Sequence, residues 1–258
     1  MIFETHAHYD DNRFDDDREA MLSTLPESGI GVVINCAASA RGNYATIELM
    51  QKYPHVYGAL GIHPSDIEDL NEDFYGWIHS QANQEKIVAI GEIGLDYYWD
   101  KEPEVQKNQR YWFGRQIDLA KELGLPIIVH SRDAAADTMQ VMKEHHAEAL
   151  SGVIHCYSYS KEMAMEFIKM GYYIGVGGVI TFKNAKKLVE TVEAIPLDRI
   201  LLETDCPYMA PEPYRGKRNS SLYLPYVVEK IAALKGASTE EVERVTEANA
   251  RALFTKVK

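Results

Sequence analysis

Residues 2–8 read Ile2-Phe3-Glu4-Thr5-His6-Ala7-His8, a short run that ends in two histidines spaced two apart. Its β-branched and aromatic residues predict a strand. In a strand, residues i and i+2 point to the same side, so His6 and His8 form an imidazole pair on one face. Such a pair suits chelation of a transition-metal ion better than packing.

The pattern recurs outward from there. Strand-like runs are read at 30–36, 56–63, 87–92, 126–130, 152–156, 172–177 and 200–205. Helical stretches begin between them near Asp15, Arg41, Asn71, Glu104, Ala134, Lys161 and Asn184, and two more follow near Leu222 and Thr239. Alternating strands and helices imply parallel pairing through right-handed crossovers. Most of the strands are nearly continuous in apolar residues, as strands covered by helices should be. Eight such units in 258 residues predict an α/β fold, a TIM-like (β/α)8 barrel forming one domain over 1–258, in preference to an open doubly wound sheet.

The strand ends carry chemistry. His6 and His8, His63, Glu92, His130, His155 and Asp205 close six of the eight strands, and Glu203 precedes Asp205 by two residues. In a barrel these C-terminal ends open onto one face, where active sites are built. A lone strand histidine is usually a packing residue, but recurrence at matching ends points to a metal site. His6, His8, Glu92, His130, His155 and Asp205 exceed the three or four ligands that one ion with an open position needs. They fit two divalent cations if Glu92 offers one oxygen to each. Paired ions activate water and hold the attacking and leaving oxygens of a hydrolysis. These ligand types accept Mg2+, Mn2+ or Zn2+.

The formal net charge of -12 excludes a broad basic surface of the kind that grips nucleic acid. Two bound divalent ions would leave the ligand set at a formal charge of about +2, which favours an anionic substrate. No apolar run reaches membrane-spanning length and no leader pattern opens the chain, so a cytoplasmic enzyme is expected. Cys36, Cys156 and Cys206 form no CxxC pair. Alternation should turn Cys156 and Cys206 away from the site as buried thiols. Gly175-Val-Gly177-Gly178 lacks dinucleotide-binding spacing and is expected to admit a close neighbour. The irregular segment 206–221 carries Pro207, Pro211, Pro213 and Gly216, the mark of a functional loop.

With those residues placed, the chain resembles the TatD family of metal-dependent deoxyribonucleases, within the amidohydrolase superfamily, nearly end to end. The resemblance rests on Thr5-His-Ala-His8, Gly61-Ile-His-Pro64, Ala89-Ile-Gly-Glu-Ile-Gly-Leu-Asp-Tyr-Tyr98, Leu125-Pro-Ile-Ile-Val-His-Ser-Arg-Asp133, His155-Cys-Tyr-Ser158, Leu201-Leu-Glu-Thr-Asp-Cys-Pro207 and Pro213-Tyr-Arg-Gly-Lys-Arg-Asn219. It implies His6, His8, Glu92 and Asp205 around one cation and Glu92, His130 and His155 around the other. It also implies hydrolysis of DNA, often by trimming single strands from the 3′ end. Ser220-Ser221 stands where the family usually has Glu-Pro, and Tyr157 where it has Phe. The first departure bears on loop rigidity or substrate selection.

Further roles follow from that expectation. Asp205 and Glu92 are expected to be catalytic, Asp205 also as a base toward water, with Glu203 orienting a ligand behind them. His63, not needed for coordination, is expected to contact the scissile phosphate or protonate the leaving oxygen. Arg132, Arg215 and Arg218 are expected to bind phosphates, with a solvated ion pair to a nearby acid as the other reading for Arg132 and pinning of the loop as the other reading for Arg218. Tyr98 and Trp99 could stack on unpaired bases, while Tyr97 is expected to pack inward. The expected partner is single-stranded DNA, acted on by a monomer with no membrane association. The alternative is a hydrolase of a small amide, lactone or phosphoester on the same scaffold.

Overall fold

The computed structural model describes residues 1–258. Eight parallel strands pair in chain order: β1 (Ile2–Ala7), β2 (Ile30–Cys36), β3 (Val56–Leu60), β4 (Ile87–Asp96), β5 (Ile127–Arg132), β6 (Gly152–Ile154), β7 (Tyr172–Val176) and β8 (Ile200–Leu202). Helices α1 (Arg18–Thr24), α2 (Ala40–Lys52), α3 (Glu72–Gln81), α4 (Pro103–Leu123), α5 (Ala135–Glu144), α6 (Lys161–Lys169) and α7 (Lys186–Ala194) make the crossovers. Helices α8 (Leu224–Lys235) and α9 (Thr239–Leu253) follow the last strand. This is the (β/α)8 architecture that the alternation predicts. Local signals set the helix ends: the Ser39 hydroxyl caps the start of α2, and Gly124, at φ 64, ends α4 in the left-handed conformation. No helix is long and apolar enough to cross a membrane.

Two buried layers hold the barrel. Val32 and Ile34, Tyr57, Val88, Ile128, Val153 and Leu201 form a separate cluster with Leu253, Phe254 and Val257 at the end of α9. Two-residue periodicity puts Ile128 with His130 and Val153 with His155 on the same strand faces, so this cluster fills the barrel interior and α9 floors it. The larger cluster, including Ile30, Ile90, Phe113, Phe167 and Ile231, packs the helices onto the outside of the sheet.

The ring closes differently from the rest. Between β1 and β8 the ladder is reduced to a single bridge, Ala7 to Cys206. Side chains complete the seam: the Thr5 hydroxyl donates to the Leu202 carbonyl at 2.8 Å, and the buried Glu4 carboxylate accepts from the Thr204 N–H at 2.9 Å and its hydroxyl at 2.7 Å. Burial, opposed by hydrogen bonds from Thr204, the His6 N–H and Ser221, pushes the Glu4 carboxyl up to about 7. Ser221 donates to Glu4 at 3.0 Å and accepts from the Tyr9 hydroxyl at 2.8 Å. Ser221, the second residue of the departure, thus fastens the loop to the seam, and neither Ser220 nor Ser221 lines the central cavity.

Several strand bounds differ from the expected ones. β3 and β8 stop three residues short of His63 and Asp205, because ladder bonding ends at Leu60 and Leu202. β4 continues past Glu92 to Asp96, and its register with β5 shifts between Ile90 and Ile93. Glu92 therefore sits within a bulge inside a strand, a device that re-aims a side chain.

Candidate metal centre

The strand ends converge. On two histidines, His8 and His130, one ring nitrogen is hydrogen-bonded from behind, and on a third, His155, it lies within ion-pair range of a carboxylate without hydrogen-bond geometry. His8 Nδ1 lies 2.8 Å from the Cys36 carbonyl, His130 Nε2 lies 3.0 Å from Asp96, and His155 Nδ1 lies 3.1 Å from Glu203. Such partners fix ring orientation and tautomer. The opposite nitrogens face Glu92, whose two oxygens divide them. Oε2 lies 3.3 Å from His6 Nε2 and 3.5 Å from His8 Nε2. Oε1 lies 2.9 Å from His130 Nδ1, 3.7 Å from His155 Nε2 and 3.7 Å from His63 Nε2. Asp205 Oδ1 completes one side, 3.3 Å from His8, 3.7 Å from His155 and 3.9 Å from His6.

These groups are buried, and their charges interlock. Burial would raise the Glu92 carboxyl, but His6, His63 and His155 hold it well below the usual carboxylate range. Burial opposes, yet the Asp205 hydrogen bond and the Glu92 charge push His8 up to about 9. For His155, Glu203 and Glu92 overcome burial and push it up to about 10. Positive charge is thus favoured between the carboxylates.

The donor set fits divalent cations. His6 Nε2 and His8 Nε2 are 3.1 Å apart, a distance at which two imidazole lone pairs repel unless a proton or cation lies between them. The ligating atoms of His6, His8 and Asp205 lie within 4.8 Å of one another, as do those of His63, Glu92 and His130. His63 therefore shares ligand range with Glu92 and His130. His155, stacked on His6 with centroids 3.5 Å apart, faces both carboxylates.

Three site residues lie outside the expected set. Asp96 orients His130, and its other oxygen accepts from the Tyr98 and Trp99 N–H groups at 2.9 and 3.1 Å. It lies four residues after Glu92, on the same face once β4 is known to continue. Asp10, two residues beyond His8, lines the cavity and accepts from Asn35 at 2.9 Å. Cys156 corrects the expectation from alternation. Its φ of 44 turns the half-buried thiol toward the cavity, with Sγ within 4.8 Å of ligating atoms of His155 and Asp205. Alternation fails there because β6 has already ended at Ile154.

Glu203 lies behind the centre as its spacing predicts, and the glycines explain how it fits. Its Oε1 accepts from the Cys156 N–H at 2.6 Å. A Cβ at Gly175 would lie 2.3 Å from Glu203 Oε2, so Gly175 is the space that the carboxylate occupies. Gly175→Ala should displace Glu203 from His155 without touching any ligand. Metal affinity is expected to fall about 10- to 100-fold, read by calorimetric titration with Mn2+, and Glu203→Asp in the same chain should recover part of it. Unchanged affinity would show that Glu203 does not hold His155.

The centre opens into a cavity of about 860 Å³ lined by His8, His63, Glu92, His130, His155 and Asp205 among others. His6 lies just beneath it, fully buried. Arg132 and Arg215 line the mouth, as does Arg41, which the sequence does not flag; none of the three pairs with a carboxylate. Arg218 does not line the cavity. Its guanidinium is committed to both Asp17 oxygens, at 2.7 and 2.5 Å, and to the Arg13 carbonyl at 2.8 Å. Of the two readings of Arg218, these contacts match pinning of the loop and not phosphate binding. Tyr97 turns inward, its hydroxyl donating to Asp137 at 2.8 Å.

Known proteins resemble the chain over nearly its whole length. The profile of the family described as "TatD related DNase" matches residues 3–255. The chain is 44% identical over 98% of its length to 99% of the uncharacterized metal-dependent hydrolase YabD of Bacillus subtilis. It is 34% identical over 98% of its length to 96% of the uncharacterized metal-dependent hydrolase YcfH of Escherichia coli K12. The crystal structure of the TatD homologue YjjV from Escherichia coli K12 superposes with a TM-score of 0.92, covering 98% of each chain at 32% identity.

Proposed function

The chain belongs to the family of TatD-related DNases, a family of metal-dependent hydrolases, and from that premise we propose that it cleaves phosphodiester bonds, trimming single-stranded DNA from the 3′ end. The observation that carries the proposal is the division of Glu92, one oxygen toward His6 and His8 and the other toward His130 and His155, beneath a mouth that presents arginines without carboxylate partners.

His6, His8, Glu92 and Asp205 would hold one divalent cation, and Glu92, His130 and His155 a second. When bound, such ions supply Lewis acidity toward the phosphate and make water acidic enough to attack near neutral pH. The remaining work falls to the chain. Asp205 reaches the cavity with a carboxylate held below its usual range: burial opposes this, and the His8 hydrogen bond with the His155 charge outweighs it. It is ionised at neutral pH and can accept the proton of the attacking water. Arg132 and Arg215 orient phosphate oxygens from the mouth.

His63 acts as a neutral donor. Its Nδ1 accepts from the Ser65 N–H at 3.1 Å, which leaves the proton on Nε2, facing the site. Burial, and then His130, push this imidazole down to about 3, so it offers a hydrogen bond rather than an imidazolium proton. That favours contact with the scissile phosphate over protonation of the leaving oxygen. His63→Ala is expected to lower kcat by about 10²-fold with metal content intact, measured by labelled-strand cleavage and elemental analysis. Loss of metal instead would make His63 a ligand.

The founding test is a 3′-labelled single strand incubated with the protein and Mg2+, Mn2+ or Zn2+. Progressive shortening is expected. No cleavage with any of these ions, together with turnover of a lactone, amide or small phosphoester, would transfer the centre to the other class of substrate.

A further inference from the structure

The rim carries two features that hydrolysis itself does not use. Trp99 and Tyr208 line the cavity, yet Trp99 is 67% exposed and Tyr208 45%. Trp99 follows β4 and Tyr208 follows β8, strands four apart in either direction round an eight-strand ring. The two rings therefore stand on opposite walls of the mouth, with the Glu92–Asp205 centre between them.

Both are held at the rim rather than packed into the core. Arg132 lies 4.0 Å from the Tyr98 ring centre and 5.6 Å from that of Trp99, and Tyr98 meets Trp99 edge-on at 4.7 Å. On the other wall, Arg13 lies 4.0 Å over Tyr208, whose hydroxyl donates to Asp11 at 3.1 Å. Leaving aromatic surface open to water is unfavourable unless something covers it in the working state. Two guanidinium-backed rings on either side of a centre suited to an anion match a strand whose phosphate sits in the middle and whose bases lie to each side.

We propose that Trp99 and Tyr208 are stacking platforms for the two unpaired nucleobases flanking the phosphodiester at the centre. The inference rests on the phosphodiesterase reading and specifies the substrate: a strand with free base faces, of any sequence, in preference to a duplex, whose bases are already stacked. Every base has a π-face, so the platforms impose little sequence preference.

The test uses the Mn2+-loaded protein and two 3′-labelled strands of equal length and charge. One is oligothymidylate; the other carries abasic tetrahydrofuran residues at its two 3′-terminal positions. The wild type is expected to cleave the abasic strand with kcat/KM lower by about tenfold or more, mainly through KM. W99A and Y208A should each lose part of that preference, W99F should keep it, and the double alanine variant should treat both strands alike. Equal cleavage of both strands by the wild type rejects the platforms and leaves the phosphodiesterase reading standing. If neither strand is cleaved, that reading fails, and quenching of indole fluorescence decides the platforms. Quenching by oligothymidylate but not by the abasic strand, lost in W99F, supports them; equal quenching rejects them.

Discussion

Replacing Glu92 with glutamine is expected to reduce hydrolysis of single-stranded DNA by about 10³-fold or more while leaving the barrel folded. Both Glu92 oxygens face ring nitrogens, Oε2 toward His6 and His8 and Oε1 toward His130, His155 and His63. Glutamine keeps the shape and one acceptor but turns the other atom into a donor aimed at those nitrogens. It also removes the negative charge that offsets two neighbouring cations. Several kcal/mol of transition-state stabilisation depends on such ions, and each 1.36 kcal/mol is a factor of ten in rate. The barrel should survive, because Glu92 belongs to neither apolar cluster. Three measurements check this: the cleavage rate, elemental analysis of bound metal and the melting temperature. Metal content should fall together with rate. Activity within about tenfold of wild type with full metal content would reject the bridging assignment.

Gly94→Ala is expected to lower the melting temperature by about 10 °C. Gly94 pairs with His130 across β4 and β5 and has φ 148. A Cβ there would lie 1.9 Å from the His130 carbonyl oxygen and 2.8 Å from its carbon. These are backbone atoms in a ladder, so no side-chain rotation relieves the clash, and an L-residue is strained at that φ in any case. Separating the strands costs about 4 kcal/mol or more, and a domain of this size loses roughly 2–4 °C per kcal/mol. The same displacement carries His130 away from Glu92, so metal affinity should fall with stability. A thermal melt shifted by less than about 2 °C would mean that β4 and β5 separate there at little cost.

These two residues show how differently a fold and a site are written in a chain. The barrel was legible because its signals are local and repeated. Apolar runs of strand length alternate with helical stretches, and each turn of that cycle independently implies a parallel crossover. The candidate ligands were legible for a similar reason: His130 and His155 each close an apolar run, and His6 and His8 share one face at the end of the first strand.

What the chain order hid was decided by irregular backbone. Alternation holds only while a strand lasts. It failed at Cys156, where β6 had ended and a positive φ turned the thiol toward the cavity. It missed Asp96, because the bulge at Glu92 and the glycine at 94 let β4 run on past its apparent end. The two readings of Arg218 stayed open because its partner, Asp17, lies about 200 residues away, and no periodicity reports an ion pair across the seam. By itself the sequence determined the barrel, the candidate ligand types and the face they share, since these follow from short-range patterning. Only the tertiary structure decided how Glu92 divides its oxygens, which nitrogens are held from behind, and which arginines at the mouth have no carboxylate partner. Those depend on distances between strands that touch only once the ring has closed.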